Sequence, residues 1–167
     1  MPAARVVVVI GKGSDCPPEV RRLAYACGVQ LAQLHPHVVL VNGGLGGVMD
    51  ASARGMTEAG GVAIGLIPTP GRRPSDHLTY ALRLGLPVHY RDITTAQVAE
   101  LAVVLPGSHG TTIEGWACAD RGVPLIMAGC HDGRPTRDLP FSYTATPLDL
   151  AALVARLLRV PLPHAVG

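Results

Sequence analysis

Arg5-Val6-Val7-Val8-Val9-Ile10-Gly11-Lys12-Gly13-Ser14-Asp15-Cys16 is a β-branched aliphatic run followed by a turn with two glycines. Branched side chains lose χ1 freedom in a helix and pack well on a pleated surface, so residues 5–10 are predicted to form a strand. The run is apolar throughout rather than alternating, which requires that both of its faces be covered. Asp15, Pro17, Pro18 and Glu19 then read as a helix start, with a capping carboxylate, proline in the first turn and acid near the positive helix end. The helix body is expected to reach about Leu34. Strand, glycine turn and helix begin a β-α-β unit.

The same order recurs along the chain. Strands are predicted at 38–41, 62–67, 87–89, 102–105 and 124–127, and helices at 46–59, 78–84, 93–100, 111–121 and 148–158. Residues 69–76 (TPGRRPSD) form a basic loop, and 129–146 are polar and punctuated by Gly and Pro. Short aliphatic strands alternating with helices imply an α/β fold: a three-layer, Rossmann-like, doubly wound, mainly parallel sheet with helices on both faces. The expected extent is a single domain over 1–167. In such sheets ligands lie beyond the carboxyl ends of the strands, which directs attention to the loops that follow them.

Composition removes several function classes. With 48% hydrophobic residues the chain can build a core, so disorder is excluded. The aliphatic run 6–10 is far short of the roughly 20 residues of a membrane span, and Lys12 and Asp15 stand where a signal peptide needs small residues. A net charge of +2 gives no bulk attraction to nucleic acid. Lys12 is the only lysine and the other thirteen basic residues are arginine, the side chain that clamps carboxylates and phosphates with two parallel bonds. Cys16, Cys27, Cys118 and Cys130 show no paired spacing and are expected to be small buried hydrophobes in a reducing cytoplasm. No metal site is expected, and the localisation expected is cytoplasmic.

Three glycine turns carry the chemistry. Gly11-Lys12-Gly13-Ser14 approaches a dinucleotide fingerprint but lacks its third glycine. The second strand ends in Asn42, where an acid would hold a ribose hydroxyl, which argues against an NAD enzyme. The turn at a helix N-terminus can still hold a phosphate. Asn42-Gly43-Gly44-Leu45-Gly46-Gly47-Val48-Met49-Asp50 has four glycines in five residues. One glycine suffices for a tight turn, and four let backbone N–H groups approach an anion unobstructed. Pro106-Gly107-Ser108-His109-Gly110-Thr111-Thr112-Ile113-Glu114 adds hydroxyl donors beside free helix N–H groups. The last two turns echo each other 64 residues apart, with Gly43, Gly46 and Asp50 answering Gly107, Gly110 and Glu114. Either one pocket is built from two similar turns, or the echo is what any strand-to-helix turn requires. Glu114 is placed in the first helical turns, where the helix dipole favours its ionised form. There it either stabilises the helix alone or faces developing positive charge; general acid work would require burial to raise its pKa.

These turns resemble the LOG-type proteins, called lysine decarboxylase-like, and the related molybdenum-cofactor carrier proteins. The resemblance covers nearly the whole chain. The hallmark P-G-G-x-G-T-x-x-E is matched at 106–114 with Ser108 in place of one glycine. Gly43 to Asp50, Gly60-Gly61 and Gly65-Leu66-Ile67-Pro68 match two further elements, and His89-Tyr90-Arg91 falls fifteen residues before Pro106, where the family has an arginine. Asp92 stands where the family has lysine.

The resemblance implies a phosphoribohydrolase that cuts the N-glycosidic bond of a nucleoside 5′-monophosphate such as AMP, with Arg91 and Glu114 as the catalytic pair. The phosphate and nucleotide would be held by Gly11, Gly13, Ser14, Gly43, Gly44, Gly46, Gly47, Met49, Gly107, Ser108, His109, Gly110, Thr111 and Thr112. It implies no required cofactor, a bound nucleotide or phosphate, and a homodimer or homotetramer. The alternative is a non-catalytic carrier of a nucleotide or of the molybdenum cofactor, a pterin phosphate. A serine hydrolase is disfavoured because Pro106 occupies a nucleophile-elbow glycine position, and Lys12 lacks a pyridoxal-phosphate context.

Overall fold

A computed structural model describes residues 3–163; Met1, Pro2 and residues 164–167 of the expected domain lie outside the described residues. The chain runs β1 (Arg5–Ile10), α1 (Pro18–Ala32), β2 (Val38–Asn42), α2 (Val48–Glu58), β3 (Ala63–Ile67), β4 (Tyr80–Arg83), α3 (Val88–Val98), β5 (Leu101–Val104), α4 (His109–Asp120), β6 (Leu125–Met127), β7 (Tyr143–Thr144) and α5 (Pro147–Leu158). Seven strands form one sheet in the order β4-β3-β2-β1-β5-β6-β7, every pair parallel.

The covered strands behave as their composition requires. Val7 and Val9 face one hydrophobic cluster with residues of α1, α2 and α5, while Val8 and Ile10 face another with residues of α3 and α4. The sheet is therefore sandwiched between two helical layers, in a three-layer Rossmann-like arrangement. On the first face α1 and α2 approach until their backbones nearly touch. A Cβ on Gly28 would collide with the Ser52 carbonyl, and one on Gly55 with the Tyr25 carbonyl. Chain order reverses between β1 and β5, so the crevice for a ligand opens above those two strands.

Five expectations are corrected. Residues 78–84, expected as a helix, contain β4, which pairs with β3 from Ile64 opposite Tyr80 to Ile67 opposite Arg83. Backbone pairing at an otherwise open sheet edge outweighs the weak helical spacing of the leucines. Pro87, expected to open a strand, is instead the extended N-cap of α3 and so places Arg91 in that helix's first turn. The stretch 129–146 holds a 3-10 turn at Pro135–Asp138 and the edge strand β7. Asp15 does not cap α1: the N-cap is Pro17, and Asp15 has a left-handed backbone in the preceding turn. Cys130 is exposed, beside Asp132, whereas Cys16, Cys27 and Cys118 are buried. No helix among the described residues is long and apolar enough to cross a membrane.

Candidate functional site

The three glycine turns meet over β2, β1 and β5 around a cavity of about 450 Å³. That volume is within the range of small-molecule sites. Gly11, Gly13, Ser14, Gly43, Gly46, Met49, Arg91, Ser108, Gly110, Thr111 and Glu114 line it, joined by Lys12, Leu45, Val88, Asp92, Arg72 and Arg73. The remaining expected binding residues lie outside the lining. Gly44, at φ 70°, packs against Ile67, Gly65 and Leu78; Gly47, at φ 65°, lies against the carbonyls of Lys12 and Gly13. Gly107 is filled over by the Thr111 side chain. Thr112 turns its hydroxyl back to the Ser108 carbonyl at 3.2 Å, and His109 is exposed at the helix start.

Hydrogen bonds fix each turn, through buried polar side chains at the second and third and through the backbone at the first. Asn42 donates from Nδ2 to the Met49 carbonyl (2.8 Å) and to Ser52 Oγ (3.2 Å), while its Oδ1 accepts from Gly44 N at 2.8 Å. One fully buried amide thus folds the second turn back onto α2. Val48 N donates to the Lys12 carbonyl at 2.9 Å, tying the first turn to the second. The third is buttressed from behind: Gly107 N donates to Thr136 Oγ1 at 3.4 Å, and Thr136 also bonds buried His131 at 2.8 Å. Burial lowers the His131 pKa, and two carbonyls partly oppose that shift.

Arg91 is almost wholly buried, and its fork is committed to the protein. Nη1 donates to the carbonyls of Gly43 (2.6 Å) and Leu66 (3.0 Å), and Nε donates to Asp92 Oδ1 at 3.0 Å. Among the described residues, Nη2 alone of the guanidinium nitrogens has no hydrogen-bond partner. No buried side-chain polar atom lacks a partner among the described residues, so Nη2 faces the cavity.

Glu114 lies in the second turn of α4, not the first, because the helix starts at His109. It reaches the cavity floor, surrounded by protein yet touched by water through the opening. There its pKa is pushed up to about 8, first by burial and then by the negative charge of Asp92, which lies within hydrogen-bonding reach; Arg91 opposes the shift. Burial and Asp92 thus favour the uncharged form, against the ionised form that the helix dipole alone favours. Asp92, read in the sequence only as a missing cation, is the residue that joins Arg91 to Glu114. The echo of Asp50 with Glu114 also fails. Asp50 lies outside the cavity, accepting from Ser75 Oγ and His77 Nδ1, contacts that hold its pKa down against burial.

Fold and site together define a Rossmann-like domain of the LOG and molybdenum-cofactor-carrier type. The chain belongs to the SLOG cluster4 family, whose profile matches residues 4–146. An uncharacterised protein of Archaeoglobus fulgidus is 34% identical over 106 residues, 64% of this chain and 68% of that one. The molybdenum cofactor carrier protein of Chlamydomonas reinhardtii is 26% identical, with a TM-score of 0.79 over 94% of this chain and 99% of that one. The molybdenum cofactor binding protein of Rippkaea orientalis shares the fold at 21% identity, with a TM-score of 0.82 over 95% and 99% of the two chains.

Proposed function

We propose that the domain binds a small phosphorylated ligand, a nucleotide or a pterin phosphate, in this cavity. The observation that carries the proposal is the convergence of three backbone turns on one space whose lining includes Lys12, with burial and Asp92 pushing the Glu114 carboxyl toward its uncharged form. The phosphate would sit on the Ser108–Thr111 turn, with Gly11–Ser14 beside it, and the flat body of the ligand would lie along Leu45, Met49 and Val88. The likeness to molybdenum-cofactor carriers supports a binding role. Mass spectrometry of ligand released from the purified protein tests it. A phosphorylated pterin or nucleotide is expected, and failure of any phosphorylated compound to bind would overturn it.

A second reading, hydrolysis of a nucleoside 5′-monophosphate, is favoured by the pairing of Glu114 with Asp92. A carboxyl titrating near 8 can donate a proton to a departing base, and the adjacent Asp92 carboxylate can face positive charge at the anomeric carbon. In that reaction the C1′–N bond breaks and the base nitrogen takes the Glu114 proton. Water then forms the new C1′–O bond and returns a proton to Glu114. Arg91 acts as a positioning residue, offering only Nη2 to a ligand. Release of free base from AMP, lost in Glu114→Gln, is the expected result; tight binding of AMP left intact would restrict the domain to binding. The family resemblance also implies self-association, supported by the apolar face that α3 and α4 expose at Tyr90, Ile93, Ile113 and Trp116.

A further inference from the structure

We propose that the 68–79 connection forms a second anion subsite, so that the cavity selects phosphorylated ligands carrying another acidic group far from the phosphate. The inference deepens the phosphorylated-ligand reading and rests on it.

Three observations converge. The first is position. The Ser108–Thr111 turn follows β5, whereas 68–79 follows β3, three strand steps away in the order β3-β2-β1-β5. At about 4.8 Å per step the two strand ends lie roughly 14 Å apart, a distance that the arginine side chains shorten. A phosphate held in the Ser108–Thr111 turn therefore lies well away from the base of the 68–79 connection.

The second is rigidity. Ser75 N donates to the Gly44 carbonyl at 2.8 Å, Thr69 N to the Leu86 carbonyl at 2.7 Å, and Thr57 Oγ1 to the His77 carbonyl at 3.0 Å. Ser75 Oγ and His77 Nδ1 both bond Asp50, which joins the connection to α2. The connection is thus a strap fastened at Thr69 and over Ser75–His77, on either side of the exposed Arg72 and Arg73.

The third is charge. The strap carries Arg72 and Arg73 to the cavity wall, and the Arg83 guanidinium lies against Gly71 just outside it. Asp76 is the only carboxylate the strap offers in return, and it pairs with Arg73 at 3.0 Å. Asp50 is occupied by Ser75 and His77, and among the described residues Arg72 has no carboxylate within ion-pair distance. Between the two ends lie the apolar side chains of Leu45, Met49 and Val88. The cavity therefore has an anion cradle, an apolar middle and an arginine pair beyond it, matching a ligand with a phosphate, a flat body and a distal acid.

A matched pair of nucleotides tests the subsite: AMP and N6-(1,2-dicarboxyethyl)-AMP, which differ only in a dicarboxylate on the base. Titration calorimetry at fixed low salt should show the dicarboxylate binding at least about tenfold tighter, since charge-assisted bonds to arginine exceed that threshold. Arg72→Ala with Arg73→Ala should abolish the preference, leaving AMP affinity within about twofold and the melting temperature unchanged, as both side chains are exposed. Equal affinity for the two nucleotides, or equal weakening of both by the double variant, overturns the subsite. A nucleotide-free pair, hexane-1,6-diol bisphosphate and hexyl monophosphate, separates the two levels. If neither nucleotide binds but the bisphosphate is preferred in an Arg72- and Arg73-dependent way, the nucleotide form of the reading fails and the subsite stands. If the bisphosphate also has no advantage, the subsite falls.

Discussion

The Glu114 carboxyl links the site to the stability of the fold, and Glu114→Gln isolates that link. Glutamine keeps the shape of the protonated acid and can donate to Asp92 as the acid does, but it carries no ionisable proton. In the wild type the carboxyl moves from an ordinary value of 4.5 to about 8 on folding. Between those values the unfolded chain binds fewer protons than the folded one, so stability falls as pH rises through the interval. The interval spans about 3.5 pH units, which at about 1.4 kcal/mol per unit sets a ceiling of about 5 kcal/mol. Water entering the cavity screens the charge and reduces the observable loss to about 2–3 kcal/mol. Urea unfolding at pH 5, 7 and 9 reads the difference between the two proteins, in which other titrating groups largely cancel. The variant should exceed the wild type only slightly at pH 5, just above the ordinary value of 4.5, and progressively more up to pH 9. A difference that is flat with pH, or a variant that loses stability at pH 9, refutes the buried-acid reasoning.

Other outcomes follow from the packing. Arg91→Lys cannot span Gly43, Leu66 and Asp92 at once, and should lower stability by about 1–3 kcal/mol in chemical denaturation. Gly28→Ala drives a methyl into the Ser52 carbonyl and should cost about 1–3 kcal/mol by separating α1 from α2. Gly47→Ala combines φ 65° with a collision against Gly13, so calorimetry should show lost ligand binding together with a lower unfolding midpoint. Light scattering should give a mass above 17.4 kDa for the wild type, falling to the monomer value in Ile93→Glu with Trp116→Glu.

The central strands were legible because each is a short aliphatic run covered on both sides, and burial on two faces leaves little freedom in composition. The edge strands were not. All four residues of β4 are exposed, and β7 has two residues, so neither carries the apolar signature that pattern reading depends on. The glycine turns announced themselves at 11–14, 43–47 and 107–112, but spacing does not separate glycines that face a ligand from those that admit another backbone. Gly46 and Gly110 line the cavity with open space beside them, while Gly44, Gly47 and Gly107 are packed against neighbours. Arg91 and Glu114 were legible as a motif. Their chemistry was not, because Asp92 acts through a contact between two helices, and a two-residue error in the start of α4 moved Glu114 out of the first turn.

The Arg91 fork has a kinetic consequence. One guanidinium on α3 grips the carbonyls of Gly43 after β2 and Leu66 near the end of β3, while the strap is fastened to both Gly44 and α2. These contacts tie the walls to one another, so a ligand is expected to meet a cup close to its final shape. Association should then proceed in a single exponential phase that is first order in ligand, without a slow closing step, and little conformational entropy is lost on binding. In a cup of this kind residence time is set by how many anionic groups of the ligand find a partner, and discrimination among ligands falls on the dissociation rate.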